Sequence, residues 1–325
     1  MRATERVTLG RTDVPVTRLG LGLAPIGGLF AVVGDEVAHA TVEAAWQLGL
    51  RYFDTAPLYG SGLSERRAGA VLAGKPRHEF TLSTKVGRLL VPGGDDGQEF
   101  WAEPTDLAPQ FDFSAAGVRR SHAESLARLG LDRIDIAHIH DPDDHLAEAV
   151  TGAYPALAQL RSAGEIGAVS AGMNQAPALV ELARAGDFDC LMLAGRYTLL
   201  DQSGLDELLP LCQQRGISVL AAGVYNSGLL ADPKPGAPYD YTPADQTLLD
   251  RATAIRSVCD RYDVPLRAAA IQFPFGHPAV ASVVVGARDP EQIADNVAMV
   301  EWDIPGALWA ALKTEGLLPR EVPTP

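Results

Sequence analysis

The chain has 325 residues, of which 47% are hydrophobic and 21% charged, as is typical of a globular protein with a large core. Its formal net charge of −14 argues against a nucleic acid as partner, because proteins that bind polyanions need a basic surface. No apolar stretch approaches the ~18–20 residues of a membrane-spanning helix and no signal-peptide pattern is present, so we expect no membrane contact and a cytoplasmic location.

The chain begins with a predicted β-hairpin and continues as an alternation of short apolar strands and helical segments. The hairpin occupies residues 1–18, where Val7–Leu9 and Val14–Arg18 flank a turn. Strands are then predicted at Leu19–Leu23, Tyr52–Thr55, Phe80–Val86, Ile134–Ile139, Ile166–Ala171, Cys190–Ala194, Ile217–Ala222 and Ala281–Val285. The predicted helices include Glu36–Leu48, Ala115–Leu129, Ala153–Ser162, Pro177–Ala185, Leu205–Arg215 and Asp245–Tyr262. Several end at glycines that suit a left-handed C-cap: Gly49, Gly130, Gly164, Gly186 and Gly216.

Eight strands that alternate with helices predict a parallel sheet, either closed as a barrel or open and doubly wound. An open dinucleotide-binding sheet would carry G-x-G-x-x-G directly after its first strand. Residues 20–28 have the wrong spacing, and Pro25 interrupts any helix start there. We therefore predict an α/β fold, a (β/α)8 TIM barrel in which residues 1–325 form one domain.

Two long connections, 87–113 and 225–243, each follow the C-terminal end of a predicted strand. Barrels hold their active sites at that end, so we expect both connections to cover the site. The alternative is that they are mobile surface loops.

Polar side chains come at the C-terminal ends of three successive strands. Asp54 ends the second strand, Lys85 the third and His140 the fourth, while Tyr59 falls on the loop after Asp54. Because adjacent strands lie ~5 Å apart, Asp54 and Lys85 can pair inside the barrel. His138 shares the face of His140 by the two-residue period of a strand, and we expect it to be a hydrogen-bonded core residue. The alternative is a structural salt bridge beside an unrelated tyrosine.

This group of side chains suits the transfer of a hydride to or from a nicotinamide. The reaction needs an acid or base at the carbonyl oxygen, and a free tyrosine, with a pKa of ~10, is a poor one. A nearby lysine cation favours tyrosinate, a carboxylate holds the lysine, and a histidine orients the oxygen and shuttles a proton. The cofactor would supply the hydride chemistry.

These residues resemble the aldo-keto reductase family over nearly the whole chain. The motifs that carry the resemblance are Leu9-Gly10-Arg11-Thr12, Phe53-Asp54-Thr55-Ala56, Tyr59-Gly60, Ser83-Thr84-Lys85, Leu129-Gly130-Leu131-Asp132-Arg133-Ile134-Asp135, and Gly286-Ala287-Arg288-Asp289-Pro290-Glu291-Gln292. The resemblance implies a catalytic tetrad of Asp54, Tyr59, Lys85 and His140, with Tyr59 as general acid and base. It also implies NAD or NADP as cofactor.

By the same resemblance, cofactor contacts are expected from one asparagine after the fifth strand, a loop after the seventh and a segment after the eighth. These residues are Asn174, Gly223, Val224, Tyr225, Asn226, Ser227, Gly228, Leu229, Gly286, Ala287, Arg288, Gln292 and Asn296. The chain departs from the family pattern at Met173, Ala194 and Ala222, where a serine, a glutamine and a stacking aromatic are usual. Arg288 is the one cation of the last segment and Asp289 opposes it, so we expect NAD to serve at least as well as NADP.

Three segments resemble one subgroup of the family, the bacterial L-fucose and D-threo-aldose 1-dehydrogenases, with pyridoxal 4-dehydrogenases close by. They are Met173-Asn174-Gln175, residues 194–201 and Tyr225-Asn226-Ser227-Gly228. The resemblance implies that a small-molecule sugar or aldehyde is the partner and that a cyclic hemiacetal is oxidised to a lactone. Pyridoxal oxidation and general aldehyde or ketone reduction are the alternatives; the sequence predicts no oligomeric state.

Two further hypotheses about the function of the chain stay open as remote alternatives. A metal-dependent barrel hydrolase is suggested by His138, His140 and Asp141, but Lys85 would repel the ion, and we expect no metal. The turn formed by residues 143–145 is then expected to be a solvated loop. The other reading is a non-catalytic nicotinamide-binding subunit, against which the presence of all four tetrad residue types argues.

Overall fold

The computed structural model describes residues 1–93, 101–103, 105–240 and 242–325. Eight parallel strands close into a barrel, so the predicted (β/α)8 fold is confirmed. In chain order the barrel strands are Leu19–Gly22, Tyr52–Asp54, Thr81–Val86, Ile136–His140, Ala168–Met173, Cys190–Ala194, Ser218–Ala222 and Val280–Gly286. Each predicted strand therefore exists, with ends that differ by no more than two residues.

Helices cover the outside of the barrel. They are Asp35–Gln47, Leu63–Leu72, Ala115–Leu129, Tyr154–Ser162, Ala176–Ala185, Leu208–Arg215, Gln246–Arg261, Leu266–Gln272, Pro290–Glu301 and Gly306–Thr314. Among the residues that the structure places, no helix is long and apolar enough to cross a bilayer. The core lies between this helical layer and the outer face of the strands.

Two details of the predicted helices were wrong for identifiable reasons. The helix that was predicted to begin at Leu205 begins at Leu208. The reason is Pro210, because a proline is tolerated only in the first turn of a helix. Gly186 is not a left-handed cap, since its φ of −136° is extended. A side chain at residue 186 would instead collide with the rings of Phe188 and Tyr154, so packing explains the glycine.

The predicted N-terminal hairpin pairs Arg6–Thr8 with Pro15–Thr17 and closes the N-terminal end of the barrel. Leu9 and Val16 from this hairpin pack against the barrel interior, in a cluster that includes Tyr52 and Ile136. The backbone amide of Gly10 donates to Ser218 Oγ at 2.7 Å, which fixes the hairpin to the seventh barrel strand. A buried apolar plug at this end leaves the opposite, C-terminal end for a site.

The two long connections contain paired backbone that was not predicted. In the first, Arg88–Pro92 pairs antiparallel with Leu107–Phe111, while residues 94–100 and 104 lie outside the described chain. In the second, Pro238–Tyr239 pairs with Thr242–Pro243, and residue 241 lies outside the described chain. Alternation in these segments is hidden from sequence patterns because prolines and glycines interrupt it.

Candidate active site

A buried ion pair lies at the C-terminal end of the second and third barrel strands. Asp54 pairs in register with Ser83, so Lys85, two residues further on, reaches back to the carboxylate. Lys85 Nζ donates to Asp54 Oδ2 at 2.7 Å and to the carbonyl oxygen of Thr55 at 2.8 Å. Ser83 Oγ donates to the other oxygen, Asp54 Oδ1, at 2.6 Å. The lysine side chain is only 2% exposed, so its position is fixed by these contacts.

Tyr59 lies above this ion pair. Lys85 Nζ is 4.7 Å from the centre of the Tyr59 ring, and the ring of His140 meets it edge-on, with centroids 6.0 Å apart. The following residue, Gly60, has a φ of +59°, and a side chain there would collide with the backbone carbonyl of Gly27. This close approach fixes the loop that carries Tyr59. The structure therefore brings Asp54, Tyr59, Lys85 and His140 together.

The two histidines of the fourth barrel strand differ in their surroundings. His138 lies deeper, where its Nδ1 is 2.8 Å from Ser170 Oγ and its Nε2 is 3.6 Å from Asp54 Oδ1. Burial lowers the pKa of His138 to about 3, against the opposing effect of Asp54. Burial, reinforced by the cations of Arg88 and Lys85, also holds the pKa of His140 well below 6.5. Both rings are therefore neutral at neutral pH, and each has one donor and one acceptor nitrogen.

Tyr59, Lys85 and His140 line a cavity of about 300 Å³. The predicted cofactor residue Asn174 and two of the positions that depart from the family pattern, Met173 and Ala194, line it as well. Among its other lining residues, Arg88, Asp141 and Asp143 are charged and were not among the predicted catalytic or cofactor residues. Trp101 comes from the first long connection, and its ring lies 5.8 Å from that of Tyr59, centre to centre.

The turn at residues 143–145, which was expected to be a solvated loop, is solvated in part: Asp144 is exposed, whereas Asp143 and His145 are half-buried. One carboxylate oxygen of Asp143 is buried, and Asp143 lines the cavity. His145 pairs with Glu148 at 2.6 Å instead of pointing to a metal. Within the described ranges, no group of three or more His, Cys, Asp or Glu side chains is arranged to hold a metal ion.

A second cleft of about 510 Å³ adjoins the cavity, and Leu29 lines both. Nine of the predicted cofactor residues line this cleft: Gly223, Val224, Tyr225, Ser227, Gly228, Gly286, Arg288, Gln292 and Asn296. Asn226, Leu229 and Ala287, which were also predicted, are buried and are not among the residues that line it. Phe30, Arg267 and Asp295 also line it and were not predicted. Phe30 and Arg267 belong to other segments of the chain, whereas Asp295 lies next to Asn296 in the predicted segment.

The loop after the seventh barrel strand has an unusual backbone. Asn226, Ser227 and Gly228 have φ values of 46°, 57° and 106°, so three successive residues adopt the left-handed region. Asn226 Nδ2 donates to the carbonyl oxygen of Gly195 at 3.2 Å, which anchors the loop to the sixth strand. Tyr225 donates its hydroxyl to Asn296 Oδ1 at 2.9 Å across the cleft. Asn226 and Gly228 donate their amides to the carbonyl oxygens of Gly223 and Tyr225, at 2.8 and 3.0 Å. Tyr225, with φ −92° and ψ 3°, precedes left-handed Asn226, and this alternation of right- and left-handed residues is the backbone geometry of an anion-binding nest.

The far end of the cleft contains two arginines, where only Arg288 was expected. Arg267 forms an ion pair with Asp295 at 2.6 Å, so its charge is already compensated. Asp289 caps the helix Pro290–Glu301 by accepting from the amide of Gln292 at 2.8 Å. Gln292 Oε1 in turn accepts from the amide of Arg288 at 3.0 Å, which fixes the backbone next to the arginine side chain.

Comparison with known proteins agrees with this geometry. Residues 18–314 match the model of the Aldo/keto reductase family. The fold is similar to that of aldo-keto reductase AKR11C1 from Bacillus halodurans in its holo form, with a TM-score of 0.78 and 28% identity, covering 98% of both chains.

Two characterised relatives are similar over almost their full length. A D-threo-aldose 1-dehydrogenase from a Pseudomonas species is 46% identical over 313 residues, which cover 94% of this chain and 95% of that protein. A pyridoxal 4-dehydrogenase from Microbacterium luteolum is 42% identical over 340 aligned positions, which cover 98% of this chain and 99% of that protein.

Proposed function

This chain belongs to the aldo-keto reductase family of NAD(P)-dependent oxidoreductases, and from that premise we propose that it oxidises the anomeric carbon of a cyclic aldose to give a lactone. The observation that carries the proposal is the buried Lys85, held by Asp54 and lying 4.7 Å from the Tyr59 ring in a small cavity. The 46% identity to a D-threo-aldose 1-dehydrogenase supports an aldose as substrate.

In this proposal Tyr59 acts as the general base. Its oxygen takes the proton of the anomeric hydroxyl, while the hydrogen on the same carbon leaves as a hydride. The ammonium of Lys85 stabilises the phenolate form of Tyr59, because an opposite charge within a few ångströms favours the charged state. Neutral His140 donates a hydrogen bond to the same substrate oxygen and fixes its direction. Asp54 contacts no substrate, and its role is to hold Lys85 in position.

The residues of the adjoining cleft would hold the nicotinamide cofactor, and its ring would supply the hydride acceptor. The turn at residues 223–228, in which Tyr225 and Asn226 form the nest, would hold the pyrophosphate, and Asn174, which lines the reaction cavity, would hold the carboxamide of the ring. Arg288 is available to a 2′-phosphate, whereas Arg267 is engaged by Asp295. Because Asp289 adds a negative charge nearby, we propose that NAD serves at least as well as NADP.

We further propose that the protein works in the cytoplasm with a small-molecule substrate. Cys190, Cys212 and Cys259 are all buried and unpaired with one another, which suits a reducing compartment. Burial raises the pKa of each thiol to about 12, so none of the three is a nucleophile at neutral pH.

A substrate screen tests the proposal. L-fucose, D-arabinose, L-galactose and pyridoxal are each mixed with NAD or NADP, and the absorbance of the reduced nicotinamide is followed. The product is identified as lactone or aldonate by NMR. The matched control is the 1-O-methyl glycoside of the best sugar, which keeps every ring hydroxyl except the anomeric one and should not react. Turnover of pyridoxal with no turnover of any aldose would contradict the proposal. It would instead assign to this chain the activity of its pyridoxal 4-dehydrogenase relative.

A further inference from the structure

One wall of the reaction cavity is polar, and the proton transfer proposed above does not use it. This wall, formed by Arg88, Asp141 and Asp143, follows directly on the strand ends that carry Lys85 and His140. Much of the remaining lining is apolar, from Leu29, Leu58, Met173, Met192 and Ala194. Charged groups on one side and apolar groups on the other match a ligand that has hydroxyls along one edge and C–H groups on its face.

Arg88 and Asp141 form a fixed pair within this wall. The guanidinium of Arg88 donates to Asp141 Oδ2 at 2.9 Å, and His140 Nε2 lies 3.4 Å from the same oxygen. The Arg88 side chain is 11% exposed, so little of its charge is screened by water. Burial raises the pKa of Asp141, although Arg88 opposes this effect and favours the carboxylate. The backbone of Asp141 is left-handed, with a φ of 39°, which turns its side chain back toward the barrel end.

Two polar atoms of the wall have hydrogen-bonding capacity left over. Within the part of the chain that the structure describes, Arg88 Nε and Asp143 Oδ1 are buried and have no hydrogen-bond partner. Buried polar atoms in native proteins nearly always have a partner, either from the protein, from water or from a ligand. Arg88 Nε is a donor and Asp143 Oδ1 an acceptor, so a ligand that satisfies both must present an acceptor to Arg88 and a donor to Asp143.

Neighbouring hydroxyl groups of a sugar ring meet this requirement. Each hydroxyl has one hydrogen to donate and two lone pairs to accept, so one can donate to a carboxylate while the next accepts from a guanidinium. We infer that Arg88, Asp141 and Asp143 bind a pair of neighbouring ring hydroxyls of the substrate and determine which aldoses are oxidised. This inference rests on the proposed aldose oxidation and names the residues that give it specificity.

A purely structural role is the competing explanation for Arg88. Its guanidinium lies over the ring of Phe111, 4.7 Å from the ring centre, so the Arg88–Asp141 pair also ties the strands Arg88–Pro92 and Leu107–Phe111 to the barrel end. Asp143 has no such tie, since its buried oxygen has no described partner. Asp143 is therefore the more informative position, and Asp144, the exposed neighbour in the same turn, is the matched control.

The experiment compares kcat/KM for the best aldose with that for deoxy analogues that each lack one ring hydroxyl. It uses the full-length wild type and the variants Asp143→Ala, Arg88→Lys and Asp144→Asn. A site built around a hydroxyl rejects the analogue that lacks it strongly, so we expect the wild type to prefer the parent sugar over one analogue by at least ~100-fold. In Asp143→Ala the parent should lose at least ~10-fold, mainly through KM, while that analogue changes by less than ~3-fold.

Arg88→Lys should also reduce the preference for the parent sugar over the deoxy analogue, because lysine keeps the charge and loses the planar pair of donors. Asp144→Asn should keep the wild-type preference. The inference is overturned if Asp143→Ala lowers parent and analogue by the same factor, or if the wild type oxidises aldoses without distinguishing them from any deoxy analogue. Those results leave aldose oxidation standing. If the wild type oxidises no aldose and yet reduces simple aldehydes, the proposed function fails, and this inference fails with it.

Discussion

Replacing Lys85 with methionine separates the stability of the buried ion pair from its role in chemistry. Methionine is similar in length to lysine but removes two hydrogen bonds, to Asp54 at 2.7 Å and to Thr55 at 2.8 Å. The Asp54 carboxylate, only 4% exposed, would keep the bond from Ser83 and lose its cation. Removing one partner of a buried ion pair costs ~3–5 kcal/mol, so Lys85→Met should lower the free energy of unfolding by about that amount.

The matched variant is the double substitution Asp54→Asn with Lys85→Met. Asparagine keeps the side-chain shape and carries no charge that needs compensation, so the double variant should regain most of the lost stability, to within ~1–2 kcal/mol of the wild type. Denaturant unfolding followed by circular dichroism measures all of the variants, and turnover is measured on the same samples. We expect the double variant to be stable and still at least ~100-fold slower than the wild type.

Two results would refute this reasoning. If Lys85→Met has the same midpoint denaturant concentration as the wild type, the Lys85–Asp54 ion pair does not contribute to stability and the cost of leaving Asp54 buried without it has been misjudged. If the double variant loses as much stability as the two single substitutions added together, the two side chains do not interact energetically. An active double variant would remove Lys85 from the proton-transfer chemistry.

The remaining predictions concern acid stability, His140 and cofactor choice. The pKa of buried His138 is about 3 in the folded chain and near ~6.5 in the unfolded chain. The unfolded chain therefore takes up a proton first as the pH falls, so the contribution of His138 to the free energy of unfolding is intact above pH ~6.5 and is lost as the pH falls toward 3. His138→Asn should therefore flatten the pH dependence of unfolding by up to ~1.4 kcal/mol per pH unit between about pH 6 and 4; an unchanged slope would contradict a neutral buried ring. His140→Gln, which retains a donor, should slow turnover less than His140→Ala, and equal losses would argue against a donor role. Asp289→Ser keeps the helix cap and removes the negative charge, so the ratio of kcat/KM for NADP to that for NAD should rise ~2–5-fold. A shift of this ratio toward NAD, or a wild-type preference for NADP above ~100-fold, would show that Asp289 does not oppose the binding of the phosphate by Arg288.

Much of the barrel could be predicted from the sequence because its strands are apolar runs buried on both faces. Ile136–His140 and Cys190–Ala194 stand out against polar helices, and their order along the chain sets the topology. The helix Pro290–Glu301 was missed although Asp289 followed by a proline is a recognisable start signal. Leu63–Leu72 has no capping side chain, because Gly62 precedes it, so local signals were absent.

Part of the candidate site could likewise be predicted from the sequence, and part could not. The grouping of the tetrad side chains could be predicted because Asp54, Lys85 and His140 lie at or next to the C-terminal ends of adjacent strands, where side chains must converge. Tyr59 lies on the loop that follows the first of these ends. Arg88, Asp143 and Arg267 could not, since they reach the cavity and the cleft only through tertiary packing. Arg267 shows this most clearly: a cation distant in sequence lines the second cleft, and the structure shows that Asp295 compensates its charge.

In the proposed reaction Tyr59 takes the proton of the anomeric hydroxyl, and the substitution Tyr59→Phe removes the group that accepts it. The substitution removes one oxygen and leaves the cleft residues in place, so cofactor affinity, measured by titration of protein fluorescence, should stay within ~3-fold of the wild type. Oxidation of the best aldose at saturating cofactor should fall by at least ~10²–10⁴-fold, the usual worth of general acid–base catalysis. Aldose oxidation within ~10-fold of the wild type, with cofactor affinity unchanged, would contradict the role of Tyr59 as the base and require another base.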